Sequence, residues 1–156
     1  MKICVIGTGT MGNGVAQVFA QAGFDVLLKG RSDASLAKAH KAMEKNLSRM
    51  VEKGKLEAAE KDAVLSRIRD TQVYDDCRDA DLVIEAVAED MEVKCEIFRL
   101  LDGICKPDAI LATNTSSLSV TEVAAVTSRP EQVIGMHFFN PVPAMKLVEV
   151  IKGQMT

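Results

Sequence analysis

Of the two histidines in this 156-residue chain, His137 stands where proton chemistry is most readily done. It falls in Gly135-Met136-His137-Phe138-Phe139-Asn140-Pro141, at the end of an apolar run with strand character. Ligands of open α/β sheets bind at the C-terminal ends of strands. A neutral imidazole there can take a proton from an alcohol near pH 7, provided another group fixes its tautomer. Glu149 can be that group, because Pro141 and Pro143 turn the chain and let the next strand run back beside the first. The alternative is a structural histidine in a turn and a glutamate on a half-exposed strand. His40, on a basic helix, reads as a surface residue.

A second group of residues suits phosphates. Gly7-Thr8-Gly9-Thr10-Met11-Gly12 fits G-x-G-x-x-G, directly after a strand and opening a helix. In that pattern Gly7 permits the tight turn, Gly9 lets the backbone approach a pyrophosphate, and Gly12 lets helix and strand pack closely. The helix start at Thr10 and Met11 offers unpaired N–H groups and the positive end of its dipole. A dinucleotide site is expected here; the alternative is a tight turn without a ligand.

The fingerprint also calls for a carboxylate near the end of the second strand, to hold the adenosine ribose. Leu28-Lys29-Gly30-Arg31-Ser32 carries none. Gly30 in that place removes the repulsion toward a 2′-phosphate and leaves it room, while Arg31 brings a planar fork suited to phosphate. Lys29 and Ser32 can add charge or a hydroxyl donor. The expected cofactor is NAD(P), with NADP(H) favoured over NAD(H). If Arg31 points into water instead, the same loop is a weak NAD site.

Two further clusters are ambiguous. Thr113-Asn114-Thr115-Ser116-Ser117 follows a strand and can line a site with donors, or be a loop and helix cap with Ser117 or Ser119 capping. Glu89 and Lys94 follow the strand end at Ala86 and are equally readable as a surface ion pair.

These residues need a scaffold, and the apolar pattern supplies one by alternating strand and helix, the mark of a parallel sheet with covered faces. Strands are predicted at Ile3–Ile6, Val26–Leu28, Gln72–Tyr74, Leu82–Ala86, Ala109–Ala112, Val133–His137 and Lys146–Ile151. A first helix carries Met11, Val15, Val18, Phe19 and Ala22, and Gly23 closes it. Leu36, Met43, Leu47 and Met50 mark a long helix that Ser32 or Asp33 can cap and Gly54 can end. With a helix from about Leu56 to Ile68 it makes a helical hairpin over residues 33–69. Later helices are expected at Val93–Cys105 and Ser119–Val126. The fold class is therefore α/β: a Rossmann-type, doubly wound, mostly parallel sheet with an inserted helical hairpin, in one dinucleotide-binding domain spanning 1–156.

Composition narrows the partners. Aromatic residues are 4% with no Trp, which disfavours stacking platforms for single-stranded nucleic acid. No apolar run approaches the ~20 residues that span a bilayer, and the N-terminus shows no signal-peptide pattern. Neither nucleic acid nor membrane is an expected partner. Cys4, Cys77, Cys95 and Cys105 form no C-x-x-C pair and read as reduced thiols of a cytoplasmic protein. The net charge is −3, yet Ala34–Arg69 holds nine Lys/Arg against five Asp/Glu. That is a solvated helix surface or a phosphate-binding face.

Met136-His137-Phe138-Phe139-Asn140-Pro141-Val142-Pro143 with Met145-Lys146-Leu147-Val148-Glu149-Val150-Ile151 resembles the signature of the L-3-hydroxyacyl-CoA dehydrogenases. Asn114-Thr115-Ser116-Ser117-Leu118 resembles their second signature, and the glycine loop and hairpin match too. The resemblance covers essentially the whole chain. It is closest to the bacterial 3-hydroxybutyryl-CoA members in Asn46-Leu47-Ser48, Lys53-Gly54-Lys55 and Ile104-Cys105-Lys106-Pro107.

What the resemblance implies is specific. His137 matches the catalytic acid/base and Glu149 its orienting partner. Ser116 and Asn140 match residues that bond the reacting oxygen or order the site. Glu89, Lys94 and Asn114 match positions around the nicotinamide and its ribose, and Lys53 matches a lysine near coenzyme A phosphates. The implied reaction interconverts 3-hydroxyacyl-CoA, with 3-hydroxybutyryl-CoA foremost, and 3-oxoacyl-CoA. Members of the family are homo-oligomers and continue into a helical domain that makes the dimer, closes the acyl pocket and adds an active-site Asn. That domain is not within these 156 residues, so the expectation is an engineered fragment or a shortened gene product. Two rival functions stand beside this one: a dinucleotide-binding fragment with little or no turnover, and a dehydrogenase acting on a sugar or simple hydroxy acid. The last leaves the basic hairpin and the His137–Glu149 stretch unexplained.

Overall fold

In the computed structural model, which describes residues 1–156, β1 (Lys2–Ile6) is buried at every position after its first. Its side chains alternate between two cores: Ile3 and Val5 enter one, Cys4 and Ile6 the other. Only a central strand covered on both faces has that pattern. Around it the chain runs α1 (Thr10–Gln21), β2 (Asp25–Lys29), α2 (Asp33–Glu52), α3 (Ala58–Ser66), β3 (Ile68–Thr71), β4 (Leu82–Glu85), α4 (Met91–Ile104), β5 (Ile110–Thr113), α5 (Val120–Ala125), β6 (Val133–Phe138) and β7 (Val148–Lys152).

The seven strands form one sheet in the order β3-β2-β1-β4-β5-β6-β7. Every pairing is parallel except β6 with β7. The chain order reverses between β1 and β4, which opens a crevice at their C-terminal ends. Val15, Leu36, Met43, Leu47 and Val64 cover one face of the sheet. Phe98, Leu101 and Val123 cover the other. No helix is long and apolar enough to cross a membrane.

Caps account for the helix ends. Ser32 and Ser35 bond each other's backbone N–H reciprocally at the start of α2, and Gly54, at φ +71, follows its end. Ser119 caps α5 and Asp90 caps α4. Gly23, at φ +96, follows α1.

Three elements depart from the sequence reading. The strand expected at Gln72–Tyr74 lies earlier, at Ile68–Thr71, and Tyr74–Cys77 is a single 3₁₀ turn. The Thr71 hydroxyl accepts the Val73 N–H and turns the chain out of the sheet. The apolar Val73, read as a strand residue, is exposed. The hairpin consequently closes at Arg67, whose guanidinium donates to the Ala20 carbonyl of α1, rather than at Arg69. Finally, β7 begins at Val148 instead of Lys146, because Ala144 and Met145 bond back to the Pro141 carbonyl in a turn. His40 lies at the surface as read, with its Nε2 2.5 Å from Asp70. All four cysteines are buried and unbridged, but Cys4 and Cys77, distant in sequence, bring their sulfurs within 2.7 Å.

Candidate active site

The C-terminal ends of β1, β4, β5 and β6 border a cleft of about 970 Å³. Twelve of the residues singled out from sequence line it: Gly7, Gly9, Thr10, Met11, Gly30, Arg31, Glu89, Lys94, Asn114, Ser116, His137 and Asn140. Gly12 is buried behind the loop, and Glu149 stands one strand away. Lys53 is exposed at the end of α2 and does not border the cleft.

The glycine loop shows three different needs. Gly7 has φ +119, and a Cβ there would lie 2.4 Å from the Ala86 carbonyl oxygen. A Cβ on Gly12 would meet the Gly7 carbonyl oxygen at 2.1 Å. Gly9 has nothing within 4 Å of a Cβ position. It is also the residue before α1, where no side chain caps the helix. Open space and free N–H groups therefore coincide at one helix N-terminus, the arrangement that receives phosphate.

At the end of β2 the packing corrects the sequence reading. A Cβ on Gly30 would lie 2.7 Å from Leu36 Cγ and 2.9 Å from Thr8 Cγ2. Leu36 and Thr8 fill the direction a side chain would take, so close packing accounts for the glycine. Lys29 is buried, with its ammonium 4.0 Å from the Tyr74 ring centroid, and burial pushes its pKa down. The Ser32 hydroxyl oxygen accepts the Ser35 N–H in the α2 cap. Arg31 alone remains exposed at the cleft rim.

Glu89 and Lys94 do not form a surface pair. Lys94 is 1% exposed, and its Nζ lies 2.6 Å from Glu85 and 3.5 Å from Glu89. Glu85, fully buried at the end of β4, also accepts from the Thr113 hydroxyl at 2.7 Å and the Val87 N–H at 2.8 Å. Glu89 accepts from the Ser116 N–H at 3.0 Å and the Ser116 hydroxyl at 3.1 Å. Partial burial alone would raise the Glu89 pKa. The Ser116 N–H, the neighbouring Thr115 hydroxyl and the Lys94 charge outweigh it and hold the carboxyl below its ordinary value. The Asn114 side chain accepts the Phe138 N–H, tying the ends of β5 and β6 together.

Glu85 escaped the sequence reading. The signal was available: a carboxylate closes the apolar run Leu82-Val83-Ile84 of a strand buried at every position. A charge placed there needs a partner.

At the other side of the cleft His137 pairs with Glu149 across the antiparallel β6–β7 ladder. Nδ1 stands 3.6 Å from Glu149 Oε1, an ion-pair distance longer than a hydrogen bond. The Phe139 ring stacks at a tilt, 4.5 Å from the imidazole centroid.

Residues 2–156 match the family model described as 3-hydroxyacyl-CoA dehydrogenase, NAD binding domain. The chain belongs to that family. It is 56% identical to a 3-hydroxybutyryl-CoA dehydrogenase of Clostridioides difficile, over all of this chain and 56% of that protein. It is 51% identical to a probable 3-hydroxybutyryl-CoA dehydrogenase of Bacillus subtilis, over 99% of this chain and 54% of that one. The crystal structure of (S)-3-hydroxybutyryl-CoA dehydrogenase from Ralstonia eutropha superposes with a TM-score of 0.97 at 46% identity, covering 99% of this chain and 55% of the other. As a member of the 3-hydroxyacyl-CoA dehydrogenase family, the chain thus spans about half the length of these relatives. Its Rossmann-like architecture and its place in a nicotinamide-dependent family agree with the sequence reading.

Proposed function

We propose that the cleft serves reversible oxidation of a 3-hydroxyacyl-CoA, with 3-hydroxybutyryl-CoA foremost, to the 3-oxoacyl-CoA. The observation that carries this reading is His137, paired with Glu149, on the same cleft as the open glycine loop. The space above Gly9 and the uncapped start of α1 fit a dinucleotide pyrophosphate. The nicotinamide, when bound, supplies the hydride acceptor for oxidation and the donor for reduction.

The side chains then divide the remaining work. In oxidation His137 takes the hydroxyl proton through Nε2, since Nδ1 faces Glu149, and in reduction it returns that proton. Glu149 favours the imidazolium formed between. Asn140 donates to the reacting oxygen. Ser116 does so once its hydroxyl leaves Glu89, to which it is bonded here. Glu89, Lys94 and Asn114 border the nicotinamide and its ribose. Lys53, away from the cleft, would meet only the distal phosphates of coenzyme A.

NADP(H) is favoured over NAD(H) in this reading, on Arg31 alone. Lys29-Gly30-Arg31 offers no carboxylate to accept from a ribose 2′-hydroxyl, and Arg31, exposed and lining the cleft, offers a guanidinium to a 2′-phosphate.

A second reading has its own observation. The Glu149 side chain is 55% exposed, and its strand neighbours Val148 and Val150 are exposed as well. In water the His137–Glu149 pair is weak, worth about 1 kcal/mol or less. On this reading the 156 residues bind dinucleotide with little turnover, and chemistry needs the length that the relatives have. Calorimetric titration with both reduced cofactors, beside an acetoacetyl-CoA assay, tests both readings. Binding with turnover supports the first, binding without turnover the second, and no binding contradicts both.

A further inference from the structure

Glu85 takes no part in the proton transfer proposed above, yet three donors converge on its carboxylate. The Lys94 ammonium is 2.6 Å away, the Thr113 hydroxyl 2.7 Å and the Val87 N–H 2.8 Å. Both members of the ion pair are essentially without solvent. A buried charge persists only with a partner, so the two hold each other in place.

Lys94 has a second neighbour. Glu89 Oε1 is 3.5 Å from the same ammonium, and the Glu89 side chain, 39% exposed, borders the cleft beside Ser116. Two carboxylates share one ammonium, which leaves one negative charge on this wall. Without Glu85, Lys94 and Glu89 would neutralise each other and the wall would carry none.

That count bears on the proposed cofactor in one way. The oxidised nicotinamide ring is positive and the reduced ring neutral, while the phosphates and adenine are the same in both. A negative wall therefore favours the oxidised form, and the Glu85–Lys94 part of it lies out of solvent, where charges are poorly screened. We propose that Glu85 is a positioning residue that, by engaging Lys94, leaves Glu89 as net negative charge and so sets the preference of the cleft for oxidised over reduced cofactor. The inference rests on the nicotinamide reading of the cleft.

Charge arithmetic separates it from a purely structural role as a tie between β4, β5 and α4. Glu85→Gln takes the wall from −1 to 0; in Lys94→Met the fully buried Glu85, left without its partner, takes up a proton and the wall stays at −1, and the double variant also carries −1, on Glu89 alone. The experiment measures dissociation constants of oxidised cofactor, reduced cofactor and ADP-ribose for this chain and the three variants. ADP-ribose lacks the ring and reports the rest of the site. The preference for oxidised over reduced cofactor should fall on the order of tenfold in Glu85→Gln and recover in the double variant, with Lys94→Met close to the unsubstituted chain. Where Glu85→Gln does not fold, Glu85→Met makes the same change of charge, and recovery in the double variant separates charge from the lost tie. An unchanged ratio in the Glu85 variant, or equal weakening of all three ligands, overturns the proposal. Failure of the unsubstituted chain to bind any dinucleotide overturns the parent reading, and this inference with it.

Discussion

His137 and Glu149 are direct partners in the antiparallel register of β6 and β7, with Nδ1 3.6 Å from the carboxylate. The ladder, not the length of the intervening loop, fixes their separation. If Glu149 orients the imidazole and favours its protonated form, Glu149→Gln in a version of full family length lowers kcat on the order of 10²-fold. The KM for cofactor should stay within a few-fold. Steady-state kinetics decide it, and an unaltered kcat would remove Glu149 from the mechanism.

The three loop glycines should fail differently. Gly12→Ala sets a methyl 2.1 Å from the Gly7 carbonyl oxygen, so it should cost about 1–3 kcal/mol or more in stability. Gly9→Ala meets no protein atom and should melt like the wild type, while losing most dinucleotide affinity because its methyl enters the phosphate space. Thermal melts paired with binding titrations check this. A Gly9→Ala variant that binds normally would show that phosphates do not sit there.

Arg31→Ile should weaken NADPH about 10–100-fold and leave NADH nearly unchanged, since hydrogen bonds to charged groups contribute roughly 1.5–3 kcal/mol. Gly30→Asp is a poor probe, because its Cβ collides with Leu36 and Thr8 before any charge effect is felt. NADH bound as tightly as NADPH by the unsubstituted chain contradicts the preference.

Away from the cleft, Arg129 ties the C-terminal end of α4 to β6. It donates to Asp102 Oδ1 at 2.8 Å and to the carbonyls of Asp102, Cys105 and Lys106. Arg129→Met should cost about 3 kcal/mol, since it strands a largely buried carboxylate. Burial alone would raise the Asp102 pKa, but the Ser128 N–H, Arg129 and the Ser128 hydroxyl together hold it below the ordinary value. Its contribution is therefore full above the unfolded pKa, about 3.9, and is lost as pH falls through the lower folded value. Acid titration should show Asp102→Asn with a shallower loss of stability over that range than the wild type. Identical acid profiles would contradict the assignment.

The sequence made the scaffold legible where one residue type has one physical use. Gly7-Thr8-Gly9-Thr10-Met11-Gly12 after an apolar run placed the first strand, loop and helix, and the prolines after Asn140 foretold that β7 returns beside β6. Boundaries set by side-chain bonds were less visible. The Thr71 hydroxyl that ends β3 looks like any threonine in a row of letters. The role of Gly30 was misjudged for a related reason: a missing side chain reads as space, whereas Leu36 from α2 already fills it. Glu85 was passed over because its partner Lys94 comes from the following helix, and only the fold shows that both are buried.

The central claim is that the cleft between the glycine loop and His137 carries a hydroxyacyl-CoA dehydrogenase reaction with His137 as its acid and base. The most direct test is turnover of acetoacetyl-CoA with reduced cofactor by wild type and His137→Gln, in a version of full family length, alongside dinucleotide affinity. The account predicts a fall in kcat of ~10²–10⁴-fold with dinucleotide affinity within a few-fold of wild type. Wild-type turnover in His137→Gln would contradict it.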